Sequence, residues 1–399
     1  MSLRGKVMMC DCLVVGSGFS GSVIARRLAE EQNKKVTVIE RRSHIAGNMY
    51  DEADDNCILV QKYGPHIFHT SNNEIYTWLT LHGEWEPYSL RCMAVLDGIA
   101  VPSPFNFRTI DLLYPVLQAD IIKRELKAYY SGRVKVTIVE MLTCNNPVIK
   151  SYAELLFEKD YRPYTMKQWG VSPEDIDIAV LQRVPVLLSY EDAYYDNDEY
   201  QILPKGGFTN FFATLLDHPN ITVQTDTDFR SLVELETSTH TMRVKGFPEK
   251  IPVVYTGPLD ELLGYIHGRL PYRSLRFEYR TEHIDSFQDA PIVAYPQAEG
   301  YTRITEYKKL PIQKADGVTT IAVEYPVSYN ESNANQHEPY YPIPTEDNII
   351  RHHLYLRDIE DIAELYICGR LADYQYYNMD NAIERAFTVY KTIVRMNGR

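Results

Sequence analysis

A glycine-rich hexapeptide, Gly16-Ser17-Gly18-Phe19-Ser20-Gly21, constrains the fold of this chain more than any other feature. It sits between a short apolar run, Cys10–Val15, and a helical pattern over Phe19–Glu31 whose inner face carries Val23, Ile24 and Leu28. A second apolar run, Val36–Ile39, is mostly β-branched, as a buried parallel strand should be. Each glycine has a physical reason. Gly16 permits the tight turn, Gly18 lets backbone approach a pyrophosphate, and Gly21 lets the helix lie close to the strand. The free N–H groups and dipole of the helix N-terminus then favour an anion. Glu40 closes the second strand, where a carboxylate takes a ribose hydroxyl. The unit predicts an α/β layer that binds a dinucleotide, without separating FAD from NAD.

The period changes farther along. Ile110–Leu117, Ile121–Tyr130, Ile149–Lys159 and Asp175–Arg183 carry apolar residues at three- and four-residue spacing, punctuated by Pro115, Pro147 and Pro173. They predict an inserted helical domain. Between Arg273 and Val327 the period becomes two, over Ser274–Arg280, Pro291–Pro296, Tyr301–Tyr307 and Thr319–Tyr325. That predicts an antiparallel sheet. Tyr366–Cys368 reads as another buried strand and Met379–Arg395 as a closing amphipathic helix.

Composition narrows the partners. Forty-one Lys and Arg against 54 Asp and Glu leave a net charge of −13, with no basic block, which argues against nucleic acid. An anionic ligand must then be held by a few placed cations. No apolar stretch approaches membrane-spanning length. The six cysteines lack the spacing of a zinc site, so no metal is expected, and they read as reduced thiols of a cytoplasmic protein. Asp11 interrupts the first apolar run, which argues against a secretory leader. Thirty-one tyrosines against 13 phenylalanines supply rings for stacking and hydroxyls for phosphate or sugar.

Beyond Glu40, the residues Arg41-Arg42 and Gly47-Asn48-Met49-Tyr50 resemble the FAD-binding extension of the glutathione-reductase-like flavoproteins. Six further segments occur in order: Gly64-Pro65-His66-Ile67-Phe68-His69-Thr70, Tyr164-Thr165-Met166-Lys167-Gln168-Trp169-Gly170, Arg183-Val184-Pro185-Val186, Leu203-Pro204-Lys205-Gly206-Gly207-Phe208, Tyr272-Arg273-Ser274-Leu275-Arg276-Phe277-Glu278 and Gly369-Arg370-Leu371. Together they resemble the bacterial UDP-galactopyranose mutase family over nearly the whole chain.

That resemblance implies an FAD-dependent isomerase interconverting UDP-galactopyranose and UDP-galactofuranose without net redox change. In the family, N5 of the reduced flavin attacks the anomeric carbon as UDP leaves, and the ring opens and recloses. The resemblance also implies reduction by NADH or NADPH and a homodimer. The expected architecture is α/β. A discontinuous Rossmann-like FAD-binding domain comprises residues 7–90, 197–258 and 364–397. A helical domain with a mobile loop covers 108–196, and an antiparallel sheet domain covers 91–107 and 259–363.

Residue by residue, the resemblance gives the diphosphate to Arg183 and Arg303, both catalytic through charge on the leaving group. It gives the uracil to Tyr164, the sugar to Trp169, and diphosphate contacts to Tyr194, Tyr376 and either Tyr340 or Tyr341. Arg273 and Asn378 are expected at the substrate. His66 is expected beside the flavin, as both a catalytic and a cofactor residue. The remaining cofactor residues are Gly16, Ser17, Gly18, Phe19, Ser20, Gly21, Glu40, Arg41, Gly47, Asn48, Gly369, Arg370 and Met379. Two positions depart from the family. Asn378 replaces a frequent aspartate, and Ala46 a frequent glycine, the latter expected to be tolerated outside the left-handed region. The segment Val171–Asp198, carrying Arg183, is expected to close over the substrate as a lid. The competing reading is a conventional FAD oxidoreductase acting on amines or sugars.

Overall fold

The computed structural model describes residues 10–170, 184–195, 197–247, 250–330 and 337–397, without the side chains of Trp169 and Asn397. The expected helix at Asp175–Arg183 and half of the proposed lid lie outside these residues.

A five-stranded parallel sheet carries the glycine-rich turn. Its order is Ile221–Gln224, Val36–Ile39, Cys12–Val15, Val253–Tyr255, Leu365–Ile367. Strands far apart in sequence thus meet in one layer, because parallel neighbours need a crossover between them. The helix Phe19–Glu31 covers one face with Val23, Ile24 and Leu28 buried, and it lies against the closing helix Met379–Asn397. Phe19 completes that face within an aromatic cluster, its ring centroid 4.8 Å from Phe212 and 6.2 Å from Phe68.

The second sheet has seven strands, ordered Tyr341–Pro342, Tyr272–Glu282, Thr319–Tyr329, Arg303–Glu306, Ile292–Ala294, Cys92–Leu96, Ile99–Ser103. It is antiparallel except at one pairing. The strands expected between Arg273 and Val327 pair antiparallel with one another, and the parallel pairing is where Ile292–Ala294 meets Cys92–Leu96. The hairpin of residues 92–103 joins this sheet before the chain leaves for the helices, and it is reached again only through a long crossover.

The helical layer comprises Phe107–Leu113, Val116–Tyr129, Ile138–Thr143, Pro147–Leu156 and Arg162–Trp169. Ile110, Ile122, Leu126, Ile138, Ile149, Tyr152 and Leu156 are fully buried at its centre. Asn106, Thr137 and Asn146 start three of these helices by accepting from the free N–H groups of the first turn. Pro115 divides the first two, ending one and capping the next. The expected single helix to Lys159 instead changes pitch. It stops at Leu156 and continues as a π turn over Phe157–Tyr161.

Candidate functional site

The turn is built as its spacing predicts. A Cβ on Gly21 would fall 2.0 Å from the Gly16 carbonyl oxygen, so only glycine permits this helix–strand approach. Gly16 has φ +102°, and Thr256 sits beneath it, donating from Oγ1 to the Val15 carbonyl at 2.7 Å. Gly18 begins the helix, and no side chain caps the exposed N–H groups there. The second glycine segment faces the first, since a Cβ on Gly47 would lie 3.0 Å from the Gly18 Cα.

Glu40 is buried and braces this turn. One carboxylate oxygen accepts from Ser17 N at 3.0 Å and Ser17 Oγ at 2.8 Å, and the other from Arg42 N at 3.1 Å. Glu338, which sequence reading missed, holds both arginines that follow. It pairs with Arg41 and with Arg42, the latter at 3.0 Å, while Glu261 lies 3.6 Å from Arg41. Arg42 also donates to Asn48 Oδ1 at 3.0 Å and lies over the Tyr63 ring. At the far end the Asp373 carboxylate accepts from Gly369 N at 3.0 Å and takes the Arg385 guanidinium. One cleft joins Gly16 through Gly21, Glu40, Arg41, Gly47, Asn48, Gly369, Arg370 and Met379, and Tyr340 and Asn378 also line it. A run from an acidic residue across an uncapped helix N-terminus to a glycine turn suits both halves of a dinucleotide such as FAD. The Arg42 Nε, buried without a partner among the described residues, is one donor such a ligand could use.

Ala46 overturns one expectation. Its φ is +75° and it is fully buried, so alanine occupies the left-handed position glycine would favour. The turn into Gly47 requires that backbone, and the packed surroundings hold it.

A second group of side chains lies beyond Arg370. Arg370 donates to the Tyr377 carbonyl from Nε at 3.1 Å and to the Tyr340 carbonyl from Nη1 at 3.4 Å. Its guanidinium carbon is 5.4 Å from the ring centroids of both Tyr341 and Tyr376, which stack at 5.9 Å. Tyr341 therefore joins Tyr376, whereas the buried Tyr340 faces the dinucleotide cleft. Arg303 follows. Its Nε donates to Glu324 Oε2 at 2.7 Å, and it interacts electrostatically with Tyr164 and Tyr341. Burial is the largest effect on its pKa and lowers it, but the Glu324 carboxylate, by charge and hydrogen bond, together with Tyr164 and Tyr341 outweighs it, so the pKa rises and the guanidinium stays charged. Among the described residues the pairing engages Nε of Arg303, and its two NH2 groups can take another anion. Glu324 was also missed, although a lone carboxylate in the apolar run Ile321–Tyr325 is a legible signal.

His66 lies between the two groups, interacting electrostatically with both Arg370 and Arg303. Gln61 fixes it from both sides. Gln61 Oε1 accepts from His66 N at 2.5 Å, and Gln61 Nε2 donates to the His66 carbonyl at 3.1 Å. Burial first, and the two arginines after it, push the imidazole down to about 3, so it is neutral. Its Nδ1 is buried with no hydrogen-bond partner among the described residues.

Tyr194 donates from its backbone to Leu90 and packs edge-on to Tyr195 at 5.0 Å. It interacts electrostatically with Tyr164. Arg273 is tied to the helix that carries Tyr164. It donates from Nε to the Gln168 carbonyl at 3.0 Å and from Nη2 to the Lys167 carbonyl at 3.2 Å, closing the C-terminus of the helix Arg162–Trp169. Gly170 ends that helix at φ +65°, where a Cβ would come within 2.6 Å of Arg273 Nη1. Trp169 lies in this helix by its backbone. Its side chain, and all of Arg183, fall outside the described residues.

The parallel sheet with its glycine turn, the second sheet and the helical layer define a nucleotide-dependent α/β enzyme of the flavoprotein architecture. A solved structure of a reduced UDP-galactopyranose mutase has the same fold, with a TM-score of 0.64 at 17% identity, over 97% of this chain and 96% of that one. The profile of an NAD(P)-binding Rossmann-like domain matches residues 14–80, and that of UDP-galactopyranose mutase matches residues 159–376. A UDP-galactopyranose mutase from Mycoplasma pneumoniae is 33% identical over 94% of both chains. A dTDP-fucopyranose mutase from Escherichia coli is 32% identical over 98% of this chain and all of its own. The chain belongs to the UDP-galactopyranose mutase family. It is therefore an isomerase, and the conventional oxidoreductase reading is set aside. Among the described residues, no helix is long and apolar enough to cross a membrane.

Proposed function

We propose that this chain interconverts UDP-galactopyranose and UDP-galactofuranose, with FAD held along the Gly16–Gly21 cleft and required in its reduced form. The observation that carries the reading is Arg303, anchored by Glu324 and set among tyrosines, with His66 interacting both with it and with Arg370 of the dinucleotide cleft. When bound and reduced, FAD supplies through N5 the nucleophile for the anomeric carbon, so the protein needs no nucleophile of its own.

The chain's residues do the rest. Arg303 directs its free NH2 groups at the diphosphate and stabilises the charge that grows as UDP leaves. Tyr341, Tyr376 and Tyr194 donate hydroxyls to phosphate oxygens. Tyr164 stacks the base and Trp169 covers the sugar. His66, neutral, offers Nδ1 for a hydrogen bond at the cofactor. Asn378, at the edge of the dinucleotide cleft, serves by hydrogen bonding and not as an acid. Arg183 adds a second guanidinium when the segment around it closes. NADH or NADPH as reductant and a homodimer in the cytoplasm complete the reading.

The test is chromatography of UDP-galactofuranose incubated with the purified yellow protein, with dTDP-fucopyranose offered in parallel. Conversion should appear only after dithionite reduction. Silence of the reduced holoenzyme toward UDP-galactofuranose would sink the proposal, and turnover of the dTDP-sugar alone would move it to that relative's substrate.

A further inference from the structure

Asp160 lies in the π turn Phe157–Tyr161, one turn ahead of Tyr164. Such turns insert a residue into a helix and recur at functional sites. The side chain is half-buried, and among the described residues it has neither a hydrogen bond nor an ion pair. Lys167, the cation that interacts with it, does not supply one. The Lys167 ammonium donates to the carbonyls of Tyr295 at 2.7 Å and of Ala298 and Tyr301 at 2.8 Å, so its three donors are spent.

The neighbours form a row. Arg370 lies over Tyr341, Tyr341 and Tyr164 interact with Arg303, and Tyr164 interacts in turn with Asp160. A nucleotide-sugar laid along it, with its sugar toward Arg370 and its diphosphate at Arg303, brings the base to Tyr164 and Asp160. Burial pushes the Asp160 carboxyl up to about 7, with Lys167 opposing. A half-buried carboxyl that no group among the described residues satisfies keeps its acceptor oxygens open to a ligand, and an N–H on the base would pair with it.

We infer that Asp160 is a specificity-determining residue that accepts the imide N–H of a pyrimidine base and so admits uracil and thymine nucleotides alike. The inference rests on the proposed function, since it takes the base to stack on Tyr164. Uracil and thymine carry the same N–H between two carbonyls and differ only by a methyl group elsewhere on the ring. The mutases similar to this chain include one named for a UDP-sugar and one for a dTDP-sugar.

Calorimetric titration of the FAD-loaded protein with UDP, dTDP and 3-methyluridine diphosphate tests this. The last probe keeps ring, ribose and diphosphate and lacks only the N–H. The native protein should bind UDP and dTDP within about three-fold of each other and the methylated probe about 10- to 100-fold more weakly. In Asp160→Ala, UDP affinity should fall toward that of the methylated probe, leaving a gap of about three-fold or less. Asp160→Asn, whose amide oxygen still accepts, should keep part of the gap and serves if the alanine variant loses FAD. An unchanged gap in both variants, no gap in the native protein, or dTDP bound far more weakly than UDP would overturn the inference. In each case UDP binding that still depends on Arg303 leaves the proposed function standing. A holoenzyme that binds no UDP overturns both.

Discussion

At the scale of single residues, the site is defined by how its charges are neutralised before any ligand arrives. Arg303 and Glu324 form a nearly buried pair with side-chain exposures of 24% and 2%. A pair like this is weak evidence for stability but strong evidence for orientation, because losing one partner leaves the other buried and unpaired. Arg303→Ala should lower mutase turnover on the order of 100-fold, the usual cost of one charge-assisted contact to a developing anion. Glu324→Gln should behave differently. UDP should bind at least as tightly, since a negative neighbour is gone, while turnover falls about 10-fold because the guanidinium is less firmly aimed. Titration and initial rates on the two variants separate binding from orientation. Equal loss of affinity in both would argue against the positioning role.

His66 gives a prediction with a definite sign. Its folded-state pKa is depressed to about 3, below the ordinary histidine value of about 6.5. The unfolded chain therefore binds the extra proton first as pH falls. The stability from the neutral ring is fully present above about 6.5 and is lost as pH falls toward 3. Urea denaturation of native protein and His66→Asn at pH 7 and pH 4.5 should show a smaller loss in the variant. An identical loss would mean that His66 is not the buried neutral group described here.

At the scale of elements, the helix Arg162–Trp169 carries Tyr164 and is held at three points. Arg273 takes its last carbonyls, Lys167 ties it to the 295–301 loop, and Gly170 turns the chain away. The resemblance places Arg273 at the substrate, and its hydrogen bonds to the Gln168 and Lys167 carbonyls support a positioning role through this helix. Arg273→Ala should lower the melting temperature through two unsatisfied carbonyls, on the order of 1–3 kcal/mol, and reduce turnover with UDP affinity nearly unchanged. Arg273→Lys, with one donor in reach, should recover part of the stability. A collapse of UDP affinity without a change in melting temperature would return Arg273 to the substrate. The same element holds the π turn, so its pitch change and its two tethers together set where Tyr164 and Asp160 stand.

At the scale of the whole molecule, the dinucleotide cleft is assembled from segments near residues 16–21, 40–49, 227–229, 255–261, 340 and 369–382. A ligand there bridges strands that share no local sequence. Stripping FAD should therefore destabilise the entire protein, and adding it back at about 100 times its dissociation constant should restore about 2.7 kcal/mol. Thermal melts of apo and reconstituted protein measure this. A melting temperature indifferent to FAD would place the cofactor elsewhere.

Short-range physics was legible in the chain alone. The helix Phe19–Glu31 and the strand Val36–Ile39 have the bounds their periodicity predicts, and the glycine spacing marks where backbone must pass backbone. These depend on neighbours within a few residues and on steric rules that act identically in every fold. The family was legible as well, because its motifs lie in contiguous segments. Tertiary structure decided the rest. Glu324 for Arg303, Glu338 for Arg41 and Arg42, and the carbonyls that occupy Arg273 and Lys167 are partners chosen across long stretches of chain. The parallel pairing of Ile292–Ala294 with Cys92–Leu96 and the left-handed backbone at Ala46 are of the same kind. Composition and period carry no record of such choices, because they follow from which surfaces meet once the layers pack, and packing can hold a residue where its own propensity would not.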